Sequence, residues 1–234
     1  MALIYTAGYD YTAKMGKKEI KFKPWTAKEE RKYLTTMENE KTKVTDKLIF
    51  DILISPCVED KDIVLSVSEQ KLLLIEIRKE SISTNFADTI ECSECKETTD
   101  RVIEIDDICS YEESNYEPVE LKIDKEKFIF TMSDISKNKD KERLILDNGI
   151  INYIFTDFLL HIKSVDVNGE LNEKFAFKEL EKFMDSLPTK IFDELFEKYQ
   201  KMVDSLDLTY EFTCPHCNSV ENIDYTNIPN FLWI

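Results

Sequence analysis

The stretch ECSECKETTD, residues 91–100, contains two cysteines separated by two residues, and the same spacing returns in TCPHCNS, residues 213–219. A C-x-x-C turn directs both sulfurs to one side, which supplies half of the tetrahedral shell that zinc prefers. Two such turns complete the shell. The sequence therefore predicts one structural zinc ion bound by all four of these cysteines, Cys92, Cys95, Cys214 and Cys217, with each pair at the tip of a β-hairpin. We name residues 92–97 the first knuckle and residues 214–219 the second knuckle.

The two cysteine pairs are separated by 118 residues, 96–213, whereas ordinary zinc ribbons have about 15–20 residues between them. Loop-closure entropy grows slowly with length, so a folded insertion between the knuckles costs little. Two alternatives stay open. One is four reduced thiols without metal. The other is a redox-active pair, although neither knuckle stands between a strand and a helix as in thioredoxin. Four thiolates leave no open position on the ion, so such a site would be structural.

The remaining cysteines and the histidines offer no second metal site. Cys57 and Cys109 have no partner at a useful spacing, and we expect them to be small buried apolar residues. His216 lies inside the second cysteine pair and is expected to be exposed, because four cysteines already complete the shell. His161 lies in the apolar stretch 149–162 and is expected to be a hydrogen-bonded core residue.

The charge and hydropathy of the chain limit its partners. Lys and Arg total 31 against 47 Asp and Glu, a net charge of −16, which opposes binding to nucleic acid. The longest apolar stretch, residues 149–162, is short for a bilayer and contains Asn152 and Asp157, so it predicts a buried helix and no membrane association. Six cysteines without a secretion signal indicate a reducing compartment.

No catalytic pattern is visible in the sequence. Acidic pairs at residues 59–60, 106–107 and 112–113 lie in polar loops and are expected to be solvated. With only four glycines, the chain has no phosphate-binding loop and no dinucleotide fingerprint. We therefore expect a protein that is not an enzyme and has no small-molecule substrate.

Local sequence patterns predict three helices in the N-terminal part of the chain. Thr26 and Glu29 form a capping-box pattern that predicts a helix over residues 27–37. A second helix is predicted over residues 45–55, ended by Pro56, and a third after Ser68 that is apolar on most of its surface.

Strand patterns flank both knuckles, and residues 119–123 and 128–132 predict another hairpin. Residues 133–206 have a mostly helical pattern, and Asn168-Gly169 predicts a tight turn between helices or in a short hairpin. These patterns predict an α+β fold: a small β-hairpin, zinc-ribbon-like scaffold with N-terminal helices and a helical insertion. The expected division is 1–132, the insertion 133–206, and 207–234, which completes the first domain.

The chain ends in an apolar segment, NIPNFLWI, residues 227–234. Such a tail either folds back beneath the ribbon or anchors a partner protein through an aromatic hot spot. In the second case the partner-binding residues would be the last four, Phe231, Leu232, Trp233 and Ile234.

Several stretches together resemble a known family, the baseplate hub subunit and hub assembly proteins of T4-like contractile-tailed bacteriophages. The resemblance covers both ends of the chain. It rests on Gly8 and Tyr11, IKFKPWTAKEE (20–30), the helix end at 51–57, LLLIEIRKES (72–81), the two knuckles and the closing IPNFLWI (228–234). The sequence departs from the family where a glycine commonly follows a knuckle, with Lys96 and Asn218 instead.

The resemblance implies a structural or chaperone-like assembly protein that docks with other baseplate hub and tail proteins. Its place would be the tail baseplate of the virion, or the host cytoplasm during assembly. A zinc-ribbon module of a nucleic-acid assembly is the alternative, and the net charge counts against it. A hydrolase that draws carboxylates together from distant segments is a third hypothesis.

Overall fold

The computed structural model describes residues 8–38, 46–63, 65–123, 125–133, 153–173 and 175–226. The chain forms two compact units. The first consists of Met1–Glu113 and Ser205–Ile234, and the second of Ser114–Asp204. Both contain helices and small antiparallel sheets. Among the described residues, no helix is long and apolar enough to cross a membrane.

Two helices of the first unit begin with capping boxes. Helix α1 (Ala27–Met37) confirms the predicted one: the amide of Thr26 donates to Glu29 Oε2 at 2.9 Å. Helix α3 (Val67–Ser81) begins in the same way with Ser66 and Glu69. Each box gives hydrogen-bond partners to amides that the first helical turn leaves unpaired.

The second predicted helix is regular over only a short part of its length. Helix α2 (Asp46–Ile49) continues as a π-helical turn (Phe50–Ile54) and a 3-10 turn (Ser55–Cys57). Three successive side chains of the π turn are buried, Ile52, Leu53 and Ile54. An α-helix turns about 100° per residue and presents one stripe to a core, so we attribute the wider turn to burial of this consecutive apolar run.

Two apolar cores fill the first unit, and helix α3 contributes to both. The first core contains the hairpin of β1 (Tyr11–Met15) and β2 (Lys18–Phe22), together with Trp25, Tyr33 and Leu73. The second core includes Ile75, Phe86, Ile105, Leu208 and Phe212. Because helix α3 packs against two cores, its apolar residues lie on more than one of its faces.

The strands that flank the knuckles form two antiparallel hairpins, as the sequence predicts. Strand β3 (Asn85–Glu91) pairs with β4 (Thr98–Glu104), and a short helix, α4 (Ile105–Ile108), follows. Strand β10 (Ser205–Thr213) pairs with β11 (Val220–Asp224) beyond the second knuckle. Strand β5 (Cys109–Glu112) pairs with the beginning of β10.

The second unit is an α+β structure with its own sheet. Its strands are β6 (Val119–Ile123), β7 (Glu126–Met132), β8 (Ile162–Val167) and β9 (Glu170–Asn172), paired in that order. Its described helices are α5 (Tyr153–His161), α6 (Phe177–Asp185) and α7 (Thr189–Gln200). The core is aromatic: Phe158 is fully buried and makes edge contacts with the rings of Phe192, Phe196 and Tyr199.

This unit differs from the predicted helical insertion in two respects. Residues 162–167 and 170–172 form strands, not helix, and of the two turns expected at Asn168-Gly169 the structure has the short hairpin. The unit also begins at Ser114, whereas the predicted insertion begins at residue 133. The reason is sheet pairing, because β7 pairs with β8 and thereby joins the predicted hairpin to the inserted segment.

Candidate metal centre

The two knuckles have the same backbone hydrogen bonds. In the first knuckle, the amide of Cys92 donates to the Glu97 carbonyl at 3.0 Å, and the amide of Lys96 donates to the Cys92 carbonyl at 3.0 Å. In the second knuckle, the amides of Cys214 and Asn218 make the equivalent bonds at 2.9 Å each. Two hairpins distant in the chain therefore end in the same tight turn.

Each knuckle has one residue in the left-handed backbone region. Lys96 has φ 63° and Asn218 has φ 62°. Asparagine tolerates this conformation, whereas a long side chain without local hydrogen bonding adopts it at a cost. The first knuckle therefore has the same turn geometry as the second with a less suitable residue.

The turns bring all four knuckle cysteines together. Their sulfurs lie within 4.8 Å of one another. Across the knuckles, the Cys92 and Cys217 sulfurs are 3.6 Å apart and those of Cys95 and Cys214 are 3.7 Å apart. Four sulfurs bound to zinc at about 2.3 Å are separated by about 3.8 Å. The cluster therefore has the dimensions of a tetrahedral thiolate site and could hold a metal ion.

The cluster lies at the edge of the second core. Cys92 and Cys214 are buried, Cys95 is half-buried and Cys217 is exposed. In each knuckle the first cysteine thus faces the protein and the second lies nearer to solvent. This arrangement leaves one side of the cluster open to entry of an ion.

Local hydrogen bonds favour an ionised sulfur at Cys92. The backbone amide of Cys95 and then the hydroxyl of Ser219 lower the pKa of Cys92 to about 6. A hydrogen bond from the same serine lowers the pKa of Cys217. Against a hydrogen bond from the Glu97 backbone, burial and then the neighbouring sulfurs raise the pKa of Cys95 to about 12. The local bonds therefore favour the metal-binding thiolate form at Cys92 and Cys217.

Side chains also join the two hairpins beneath the knuckles. The hydroxyl of Tyr225 donates to Asp88 Oδ2 at 2.6 Å, and its ring meets Phe86 edge-on. Arg101 lies over the ring of Phe212, 5.7 Å from the ring centre. Packing and polar contacts therefore hold the hairpins side by side in addition to the cysteine cluster.

The other candidate residues lie where the sequence places them. Cys57 is buried in the first core and Cys109 is half-buried; burial raises the pKa of these thiols to about 12 and about 11. His216 is exposed. His161 is buried, and its Nδ1 atom is 3.1 Å from the hydroxyl oxygen of Tyr199. The expectations for Cys57, His216 and His161 are confirmed, whereas Cys109 is less buried than expected.

The acidic side chains do not form a comparable cluster in the described part of the chain. The three acidic pairs of the sequence are exposed, as expected. Glu69 is the buried carboxylate among the described residues; it caps its helix and pairs with Lys18 Nζ at 2.5 Å. The proposed partner-binding residues lie outside the described residues, namely Phe231, Leu232, Trp233 and Ile234.

One contact at the cluster has no sequence signal. Ser219 lies two residues after the last cysteine, and its hydroxyl oxygen lies 3.1 Å from the sulfurs of both Cys92 and Cys217. Nothing in the spacing of the second knuckle indicates that this side chain also reaches the first.

Fold and site together define a mixed α/β protein in which a four-thiol cluster joins two hairpins, one before and one after the second unit in the sequence. A family model described as T4 bacteriophage base plate protein matches residues 6–233. The chain belongs to this family and is a T4-like baseplate protein, a structural protein of the phage tail baseplate. No curated protein and no solved structure shows significant similarity to the chain.

The family match extends beyond the stretches that carry the resemblance in the sequence. It includes both knuckles and the whole of the second unit. Family membership implies association with other baseplate proteins.

Proposed function

We propose that the protein acts in the baseplate hub, as a resident subunit or as a chaperone-like assembly factor, by docking with other hub and tail proteins. The supporting observation is the cysteine cluster, which joins hairpins distant in the sequence within a family of baseplate proteins. Rigid, closed sites of this kind support a binding surface and offer no open position for substrate. We accordingly propose a role without enzymatic activity.

We propose zinc as the ion of the cluster. Four soft thiolates in a tetrahedral arrangement favour zinc or iron among the common metals. Zinc has no redox chemistry and suits a site whose role is to fix two chain segments. The proposed ligands are the four knuckle cysteines, Cys92, Cys95, Cys214 and Cys217.

Elemental analysis of the purified full-length chain tests the metal. We expect one zinc per chain and a lower melting temperature in the presence of a strong chelator. If the chain instead contains one iron ion, the metal of the cluster is iron. A metal-free protein that retains its full stability would refute the metal centre.

Phage genetics and virion analysis test the hub role. We expect the tagged chain to co-purify with hub proteins from infected cells, and deletion of its gene to prevent baseplate formation. Mass spectrometry of purified virions distinguishes a resident subunit, which is present, from an assembly factor, which is absent. Normal baseplates in the deletion would refute the proposal.

The C-terminal tail is the proposed partner anchor. Truncation after residue 230 removes Phe231 to Ile234 and should abolish co-purification while leaving the melting temperature and metal content unchanged. A large loss of stability would instead indicate that the tail folds back onto the protein. Charge opposes the alternative role in a nucleic-acid assembly, since the chain carries −16.

A further inference from the structure

The two knuckles have the same backbone hydrogen bonds but differ in the residue whose carbonyl closes the turn. Glu97 occupies this position in the first knuckle and is exposed, whereas Ser219 occupies it in the second and is half-buried. Ser219 is placed so that its hydroxyl oxygen lies 3.1 Å from Cys217 Sγ in its own knuckle and 3.1 Å from Cys92 Sγ in the other. The centre is therefore asymmetric.

A serine hydroxyl in this position is a hydrogen-bond donor to a metal-bound sulfur. Thiolates in a metal site carry no proton and can only accept, so the hydroxyl proton must point towards them. The two sulfurs that it reaches are 3.6 Å apart. A zinc ion with four thiolates has a net charge of about −2, which hydrogen bonds to sulfur partly offset in a protein that is already acidic.

A second side chain from the same segment also reaches the first knuckle. The amide of Ser93 donates to Glu221 Oε1 at 3.2 Å. Ser219, at the end of the second knuckle, and Glu221, in strand β11, thus both contact the first knuckle. Both bonds join the hairpins at the cluster itself, independently of the Tyr225 contact below it.

We propose that Ser219 is a positioning residue of the metal centre: its single hydroxyl proton is shared between the coordinated thiolates of Cys92 and Cys217, which aligns the two halves of the site and thereby increases metal affinity. The inference rests on the proposed zinc centre. It adds a hydrogen-bonding residue to the four ligands. Because Ser219 belongs to the second knuckle, this knuckle would orient a ligand of the first.

The test uses the full-length protein with four substitutions. Ser219→Ala removes the hydroxyl. Ser219→Thr and Ser219→Val form a pair of nearly equal shape that differ in whether a hydroxyl is present. Ser93→Ala is the matched control, because it removes a serine hydroxyl from the other knuckle but keeps the backbone amide that donates to Glu221.

Zinc affinity is measured by competition with a chromophoric chelator. We expect Ser219→Ala and Ser219→Val to bind zinc about tenfold more weakly, Ser219→Thr to bind within about twofold of the unsubstituted protein, and Ser93→Ala to be unchanged. Rescue by threonine would show that the hydroxyl, not the side-chain volume, is responsible.

Cobalt substitution gives a second readout that a general loss of stability would not change. A hydrogen bond lowers the energy of the sulfur lone pairs, so its removal should move the thiolate-to-cobalt charge-transfer band to longer wavelength. We expect this shift in Ser219→Ala and Ser219→Val, and no shift in Ser219→Thr or Ser93→Ala.

The outcomes separate this inference from the metal centre itself. If the unsubstituted protein binds zinc but Ser219→Ala and Ser219→Val bind it equally well with an unshifted band, the positioning role is refuted and the zinc centre stands. If the unsubstituted protein binds neither zinc nor cobalt, both proposals fail. If Ser219→Ala does not fold, the zinc affinities and cobalt bands of Ser219→Thr and Ser219→Val decide whether the hydroxyl is required.

Discussion

The two units join distant parts of the chain by different means. In the first unit, two cysteine pairs with 118 residues between them meet at a cluster of four sulfurs that terminates two narrow hairpins. In the second, a four-stranded sheet and its helices enclose an aromatic core in which Phe158 is fully buried. The first unit has apolar cores as well, but the ends of its two hairpins depend on a few contacts at the cluster, whereas the aromatic core of the second unit distributes stability over many.

The largest effect should follow from removal of a buried sulfur of the cluster. Cys92→Ser should abolish tight metal binding and lower the melting temperature by about 10 °C, because folding of the hairpins is coupled to the ion. Thermal denaturation with and without chelator measures the change. Hydrogen exchange should accelerate in β3, β4, β10 and β11, while the sheet of the second unit remains protected.

Cys109→Ser is the control for this substitution. It replaces a half-buried cysteine outside the cluster and should leave metal content intact. Equal loss of metal in both variants, or unchanged hydrogen exchange in the hairpins of Cys92→Ser, would contradict the contrast between the units.

The converse experiment truncates the centre of the aromatic core. Phe158→Ala should lower the free energy of unfolding by about 4 kcal/mol, because it leaves a cavity among Phe192, Phe196 and Tyr199. Chemical denaturation measures the change, and Phe158→Leu should lose less. Metal stoichiometry should be unaffected. Loss of metal in Phe158→Ala would show that the cluster depends on the second unit.

A smaller effect is expected from the hydroxyl that joins the hairpins. Tyr225→Phe removes the bond to Asp88 and should lower the free energy of unfolding by about 1–2 kcal/mol near neutral pH. Tyr210→Phe, a hydroxyl deletion in the same hairpin, is the matched control. If both substitutions have the same effect, the bond to Asp88 is not the cause.

The Tyr225 bond also predicts a dependence on pH. Burial, and then the Asp88 carboxylate, raise the pKa of Tyr225, whereas an unfolded tyrosine ionises near pH 10. The folded state therefore keeps a proton that the unfolded state releases. The contribution is complete below about pH 10 and is lost as the pH rises towards the folded-state pKa. Tyr225→Phe should show a shallower loss of stability above pH 10 than the unsubstituted protein.

The sequence predicts those parts of the molecule whose signals are local. The capping box at Thr26 and the two cysteine turns each need only a few neighbouring residues, and the structure has both. Convergence of the knuckles follows from the chemistry of four thiols, because only a second pair completes a tetrahedral shell.

The remainder depends on contacts that sequence spacing does not encode. Strand β8 follows α5 without an intervening breaker, so the apolar run 149–162 ends at the first residue of the strand and no breaker marks the end of the helix. Its register is set by β7, with Phe128 opposite Val167. The Ser219 contact is similar, since it depends on how the second hairpin faces the first.

The smallest expected effect concerns the difference between the knuckles themselves. Lys96 and Asn218 have nearly the same positive φ, yet only asparagine tolerates this region readily. Lys96→Gly should therefore raise the free energy of unfolding of the metal-loaded protein by about 0.5–1 kcal/mol, the difference between relieved strain and added chain entropy. Asn218→Gly should change it little.

Lys96→Ala separates backbone strain from charge in this comparison. It removes the ammonium group but keeps a Cβ at the same positive φ, so it should not reproduce the gain of Lys96→Gly. If alanine stabilises as much as glycine, the effect is electrostatic, since loss of a lysine near the cluster would then be favourable by itself. If neither stabilises, the first knuckle accommodates its lysine without strain, and the two turns are equivalent in energy as well as in geometry.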